Sequence, residues 1–350
     1  MAERNTGGAN ERLHLLDGLR GIAAIGVLLF HVPGFFPVPE FMQRGYLFVD
    51  LFFLLSGFVL TPVIAERNAR RMGTGDFLKA RFRRFFPLMA LGAFLAAILF
   101  SLDSRAELVP LKLALAFAFI PAFLIAEAVF PLNVVQWSLF WELLANGAHA
   151  RAWDRWKDKA LVAMVFLAGL AHGAAIVIHE TGDLGAHADT FLLAAPRIIF
   201  SYGAGMLMAR HFRGPRDADW TAWVLRLALP VLAVSLLPLT GSAVACFEAA
   251  VVLLVFPVSF WLVAHCRPAQ QWNGVLNWLG RISFPLYAVH IPVLIATQLS
   301  LISHFGENTW SGAIIGPALA LSVSAALAWI MEPRTGWRRA RAPKVDASPA

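Results

Sequence analysis

The chain has 350 residues, 59% hydrophobic and 15% charged, with a formal net charge of +7. Soluble domains carry about 25% charged and about 45–50% apolar residues, so an ordinary water-soluble domain is excluded. In an apolar chain Lys and Arg gather on the cytoplasmic side for topological reasons, so the positive balance is no sign of nucleic-acid binding.

The polar start, residues 1–14, runs into the first apolar stretch without a small-residue cleavage site, which predicts an uncleaved anchor rather than a removed signal. That stretch, LDGLRGIAAIGVLLFH from Leu16 to His31, holds Arg20 and His31 eleven residues apart. Eleven steps of a helix make about three turns plus roughly 20°, so both side chains share a face, separated by a rise of roughly 16 Å. Ionisable groups at membrane depth are costly and point into protein or a wet cavity. One face therefore carries a fixed cation near one membrane surface and a titratable base towards the other.

The second stretch opens Tyr46-Leu-Phe-Val-Asp50 and runs on through Ser56 and Gly57. Asp50 lies at about the depth of His31. It either holds the imidazole in one tautomer, as a general base requires, or caps its own helix. Next come Lys79, Arg81, Arg83 and Arg84 before Pro87. Arg81 and Arg84 are three apart on one helix face. Such a pair is either a fork for phosphate oxygens or a positive-inside anchor at the lipid headgroups.

Residues 111–130 are interrupted by Pro121, carry Glu127 and are bounded by Pro110 and Pro131. They are expected to be re-entrant, which is tolerable only where broken backbone is packed in protein or lines a cavity. Gln136-Trp137-Ser138-Leu139-Phe140-Trp141-Glu142 opens the next crossing, with a carboxylate just inside the helix that either meets an acceptor hydroxyl or pairs with a cation. His172, Arg197 and Glu248 are further polar residues in apolar stretches, each read as a packing partner. Cys246 and Cys266 are separated by about 30 Å of predicted helix and cannot bridge within it. The tenth span opens Leu279-Gly280-Arg281-Ile-Ser283 and continues to Tyr287 and His290, which are i, i+3 neighbours.

Eleven apolar segments can be marked at roughly 15–33, 46–65, 86–101, 111–130, 136–150, 160–179, 191–209, 221–239, 243–265, 282–302 and 311–331, of about the length a bilayer requires. Basic clusters at 67–84, 151–159 and 210–216 and in the tail agree on one side if residues 111–130 fail to cross. The 180–190 loop, with Glu180, Asp183 and Asp189 and no Lys or Arg, falls on the other. The expected fold is an all-α polytopic membrane protein of about ten transmembrane helices plus one re-entrant segment, multi-pass with both termini cytoplasmic. Its parts are a cytoplasmic segment at 1–14, a transmembrane domain at 15–331 and a basic tail at 332–350. No nucleophile elbow, P-loop, dinucleotide fingerprint, HExxH or metal-ligand spacing occurs. No permanently bound cofactor or metal is expected.

Taken in order, LDGLRG with Arg-x10-His, VDLFFLLSGF (Val49 to Phe58), FxxxRxxRxxP (Phe77, Arg81, Arg84, Pro87), WSLxxE (Trp137 to Glu142) and LGRISFPLYAVHIP (Leu279 to Pro292) resemble the membrane-bound acyltransferase 3 family along nearly the full length. Glu332-Pro333 followed by arginines resembles that family's usual ending. The resemblance implies transfer of an acyl group, usually acetyl, from cytoplasmic acyl-CoA to a hydroxyl of a carbohydrate or glycolipid on the far side of the membrane. It makes Arg20 and His31 the essential pair, Arg81 and Arg84 the cytoplasmic arginines and Glu142 the acidic residue of WSLxxE. From the placement of the residues themselves, Asp50 and Glu142 are further catalytic candidates, Arg81, Arg84 and Arg281 the expected donor-binding cations, and Trp137, Ser138, Tyr287 and His290 the expected substrate side. Some relatives carry a C-terminal hydrolase-like domain; the sequence leaves no length for one, so a single-domain form is expected. Relatives usually place an aromatic shortly after the glutamate, where this chain has Leu-Leu-Ala-Asn146. The rival reading is a transporter of a glycolipid or small acid, which also needs intramembrane Arg, His and Glu. Paired broken helices in two matching halves, the mark of inverted-repeat carriers, are not evident.

Overall fold

The computed structural model describes residues 7–39, 42–102, 107–215, 220–235, 242–266, 268–306 and 309–331. The basic tail expected at 332–350 lies outside them. The helices are α1 (Gly7–His31), α2 (Phe48–Ala69), α3 (Thr74–Ser101), α4 (Val109–Ala118), α5 (Gln136–Arg151), α6 (Asp158–His179), α7 (Ala194–His211), α8 (Trp220–Ser235), α9 (Ser242–Ala250), α10 (Phe256–Ala264), α11 (Asn273–Phe305) and α12 (Gly312–Met331). A π-helical turn at Val251–Val255 joins α9 to α10 ahead of Pro257, which can donate no backbone hydrogen bond.

Among the described residues, eight helical stretches are long and apolar enough to cross a bilayer. The α8 helix, expected to cross as well, is described over Trp220–Ser235, with residues outside the described set on either side; α5, also expected to cross, has 16 residues. That is a rise of about 24 Å, short of a hydrocarbon core about 30 Å thick. The α1 helix begins at Gly7, so part of the segment expected to precede the first span is already helical. The protein is an all-α multi-pass membrane protein. Trp310, just before α12, and Trp329, near its end, are both exposed, as suits interfacial indoles.

Two close helix crossings organise the bundle. The α1 and α11 helices meet where a Cβ added at Gly21 would fall 2.6 Å from the Leu279 carbonyl oxygen, so the LDGLRG glycine is what admits the backbone. The α2 and α7 helices meet through Gly57, packed on the Tyr202 carbonyl, and Gly205, packed on the Leu54 carbonyl. Small residues at such contacts let membrane helices approach where lipid gives no hydrophobic incentive to associate.

The 111–130 stretch is helical only at its start. The α4 helix runs down α3, from a cluster of Val109 with Ala96 and Ala97 to ring contacts of Phe117 with Phe86 and Phe119 with Phe82. It stops at Phe119 in a left-handed conformation (φ 55°). The chain then returns to the end it left, where Val129 donates to the Ala186 carbonyl (3.0 Å) and Phe123 meets Phe191. Gln136 Nε2 donates to the Ala116 carbonyl (2.6 Å), satisfying one acceptor of the broken helix.

The α11 helix carries Pro285 and Pro292 in its interior. Pro292 has no N–H for the carbonyl four residues earlier, that of Ala288. Asn133, just after the returning segment, donates its Nδ2 to that oxygen at 2.9 Å. The residue that follows the re-entrant stretch thus satisfies the carbonyl that Pro292 leaves without a helical donor, beside Tyr287 and His290.

Candidate active site

The two ends of α1 carry different chemistry. At the first, Arg20 pairs with Asp17 (3.0 Å) one turn earlier, and both are half-buried. Gly280 on α11 packs on Asp17, which brings the exposed Arg281 to the same mouth. Arg84 on α3 is exposed and lies within electrostatic reach of Arg20, Arg81, Asp17 and Glu142. The arginines picked from separate motifs therefore converge on one end of the bundle.

Arg81 and Glu142, expected on opposite sides of the reaction, form one ion pair at 3.0 Å, and Ser56 donates to the same carboxylate oxygen at 2.8 Å. The Arg81 guanidinium also lies 4.7 Å from the Phe85 ring centre. Of the two alternatives for Glu142, the structure shows the pairing with a cation. Glu142 faces the arginine mouth, and Arg81 is a neutralised cation because a carboxylate one and a half turns into an apolar helix needs a compensating charge.

At the far end of α1, His31 Nδ1 lies 2.8 Å from the Val27 carbonyl, which can only accept, so Nδ1 carries the proton. His290 Nδ1 is likewise 2.9 Å from the Leu286 carbonyl, which leaves His290 Nε2 as an acceptor. That Nε2 stands 3.4 Å from His31 Nδ1, and the rings are 5.1 Å apart. Two i−4 carbonyls thus fix both tautomers and leave the lone pair of His31 on Nε2. Beyond His290, Tyr287 shares a 2.7 Å hydrogen bond with Ser138, both buried. Three candidates assigned to the substrate side, His290, Tyr287 and Ser138, stand behind His31, with the His290 and Tyr287 ring centres 6.2 Å apart.

Asp50 does not orient His31, nor does its side chain cap α2. Its Oδ2 receives Nε (3.0 Å) and Nη2 (2.8 Å) of Arg197 from α7. Its Oδ1 accepts from Ser201 (3.1 Å) and stands 3.6 Å from His172 Nε2. A guanidinium is the strongest partner available to a buried carboxylate, so Asp50 is spent on α7. Arg197 further donates to the Leu184 and Tyr46 carbonyls, each at 2.8 Å, and its guanidinium lies 5.4 Å from the Trp137 ring centre. Trp137, expected to face substrate, is therefore a buried platform for Arg197. The partners of Asp50 and Glu142 went unread because each lies on a distant helix. For Asp50 a signal existed, the lone Arg197 inside an apolar stretch, which implies a carboxylate elsewhere; Arg81 lay hidden in a basic cluster.

A helical membrane bundle with arginines gathered at one mouth and an oriented imidazole at the far end of the same helix defines a class: a polytopic enzyme with a one-helix path between cation and base. The chain belongs to the acyltransferase 3 family, whose acyltransferase domain matches residues 13–329. It is a membrane acyltransferase.

It is 38% identical over 160 residues to "Protein 2 in picA locus" of Rhizobium radiobacter, covering 40% of this chain and 82% of that one. It is 30% identical over 96 residues to O-acetyltransferase OatA of Staphylococcus aureus (strain NCTC 8325 / PS 47), covering 27% of this chain and 15% of that protein. Against peptidoglycan O-acetyltransferase OatA of Listeria monocytogenes it is 31% identical over 88 residues, covering 24% of this chain and 13% of the relative. The match therefore spans only a small part of either OatA. No solved structure matches.

Proposed function

We propose that the protein moves an acetyl group from cytoplasmic acetyl-CoA to a hydroxyl of a carbohydrate or glycolipid on the extracytoplasmic side of a bacterial inner membrane. The observation that carries this is the fixed tautomer of His31, with its Nε2 lone pair left available, on the same helix as Arg20. The names of the O-acetyltransferase relatives support the acyl group and the type of acceptor. In this reading the arginine mouth is cytoplasmic, as are both termini, and residues 15–331 form the catalytic unit between the flanking segments 1–14 and 332–350.

Arg84, Arg20 and Arg281 bind the phosphates of the donor, each charge-assisted hydrogen bond being worth about 1.5–3 kcal/mol. The thioester arm then lies along α1, whose rise from Arg20 to His31 is roughly 16 Å. The acceptor oxygen attacks the thioester carbonyl and loses its proton to His31 Nε2. The carbon–sulfur bond breaks, and the proton passes to the departing thiolate, leaving an ester and free coenzyme A. Arg81 is held by Glu142 and aligns the mouth rather than binding donor alone.

The test is purified protein in liposomes supplied with radiolabelled acetyl-CoA and surface glycans. Release of free coenzyme A that depends on glycan supports the reading. Solute uptake without thioester cleavage would overturn it in favour of a carrier.

A further inference from the structure

A second polar site stands at the His31 end, apart from the residues behind His31. A cleft of about 220 Å³ is lined by Gln43, Arg44, Tyr46, Glu180, Thr181 and Glu248, with one apolar residue, Val244. Its floor is built. Buried Glu248 accepts from the Tyr46 hydroxyl (2.5 Å) and the Gly182 N–H (2.6 Å), and Arg44 stands 3.4 Å away. Thr181 Oγ1 lies 3.4 Å from the same phenol oxygen. Arg197 ties the two loops that supply the lining, donating to the carbonyls of Tyr46 and of Leu184, three residues beyond Thr181. One ring separates it from the base, because Phe30 packs edge-on against both Tyr46 (5.2 Å) and His31 (4.8 Å).

We infer that this cleft is the acceptor subsite and that it selects an uncharged or amino-bearing sugar ring over a uronate or a phosphosugar. The inference rests on the acyl-transfer reading. Its volume is below the roughly 300–1,000 Å³ of sites for drug-sized ligands and suits a single ring. An amide, a hydroxyl, a phenol and carboxylates supply both donors and acceptors, as a polyhydroxylated ligand needs. Glu180 and Glu248 in the lining outnumber Arg44, and Asp183 lies within electrostatic reach of Glu248, Tyr46 and His31. That field disfavours an anionic ring, and like-charge juxtaposition is how sites reject wrong partners.

Full-length protein in nanodiscs would be tested by saturation-transfer NMR with cellotetraose, a chitosan tetramer and a tetragalacturonate. Coenzyme A release by the wild-type protein would be followed in parallel. The neutral and amino tetramers are expected to bind, and the uronate about fivefold more weakly. Glu180→Lys, at an exposed position, should narrow or reverse that gap, and Gln43→Ala should weaken all three. Equal binding of the three, binding of none, or a preference unmoved by Glu180→Lys would overturn the cleft's role. If acceptor-dependent coenzyme A release persists through such a result, the acyl-transfer reading stands and only the subsite fails. Loss of that release in the wild-type protein would bring down the reading beneath it.

Discussion

Arg81 and Glu142 meet at 3.0 Å across α3 and α5, although 61 residues separate them in sequence. Removing one partner of a buried pair typically costs about 3–5 kcal/mol, because the other charge is left uncompensated. Glu142→Ala should therefore lower the melting temperature in detergent, and Arg81→Ala added to it should recover much of the loss. Additive losses in the double variant would show that the pair is not coupled.

His31→Ala removes the proton acceptor and should lower kcat by about 10²–10⁴-fold while the protein still inserts. His290→Phe should cost less, about tenfold, through loss of one hydrogen bond that steadies the imidazole. Steady-state rates of coenzyme A release separate the two. An unimpaired His31→Ala variant would refute the assignment of the base.

Arg84→Ala should raise the KM for acetyl-CoA about ten- to a hundredfold and leave the acceptor KM unchanged, as expected for one lost phosphate contact. Arg81→Ala, by contrast, should act mainly on stability. If Arg84→Ala leaves the donor KM where it was, Arg84 is an anchor at the headgroups.

Asp50→Asn should affect folding before chemistry, since it strands Arg197 inside the bundle. The paired substitution Asp50→Leu with Arg197→Met should restore thermal stability. A wild-type melting curve for Asp50→Asn alone would contradict this.

Asn133→Leu should destabilise by about 1–3 kcal/mol, leaving the Ala288 carbonyl without its donor one turn before Pro292. Restoring the helical N–H with Pro292→Ala should rescue it, as melting of the single and double variants would show.

Much of the architecture was legible because it rests on local signals. Runs of apolar residues mark the helices, and Pro121 and Glu127 inside one such run mark the segment that turns back before crossing. The basic cluster that holds Arg84 was expected at one surface from the positive-inside bias. Pairing was another matter. Asp50 reaches a partner 147 residues away and His31 one 259 residues away, and no spacing rule connects such positions. Asp50 sits at the depth of His31, so equal depth suggested contact. In a bundle, however, helix order around the axis decides who meets whom, and that order is set by glycine crossings such as Gly57 on Tyr202. Trp137 was misplaced for the same reason.

The contact of Gly21 with Leu279 leaves α1 and α11 no slack to slide past each other. Arg20 and His31 ride on one of these helices and Arg281 and His290 on the other, so this crossing sets the spacing of the four. A rocking mechanism that ferries a bound group by tilting its two halves would have to shear this spine. In the proposed reaction the cargo therefore travels and the scaffold stays still, as in a relay whose stations are bolted to a common beam.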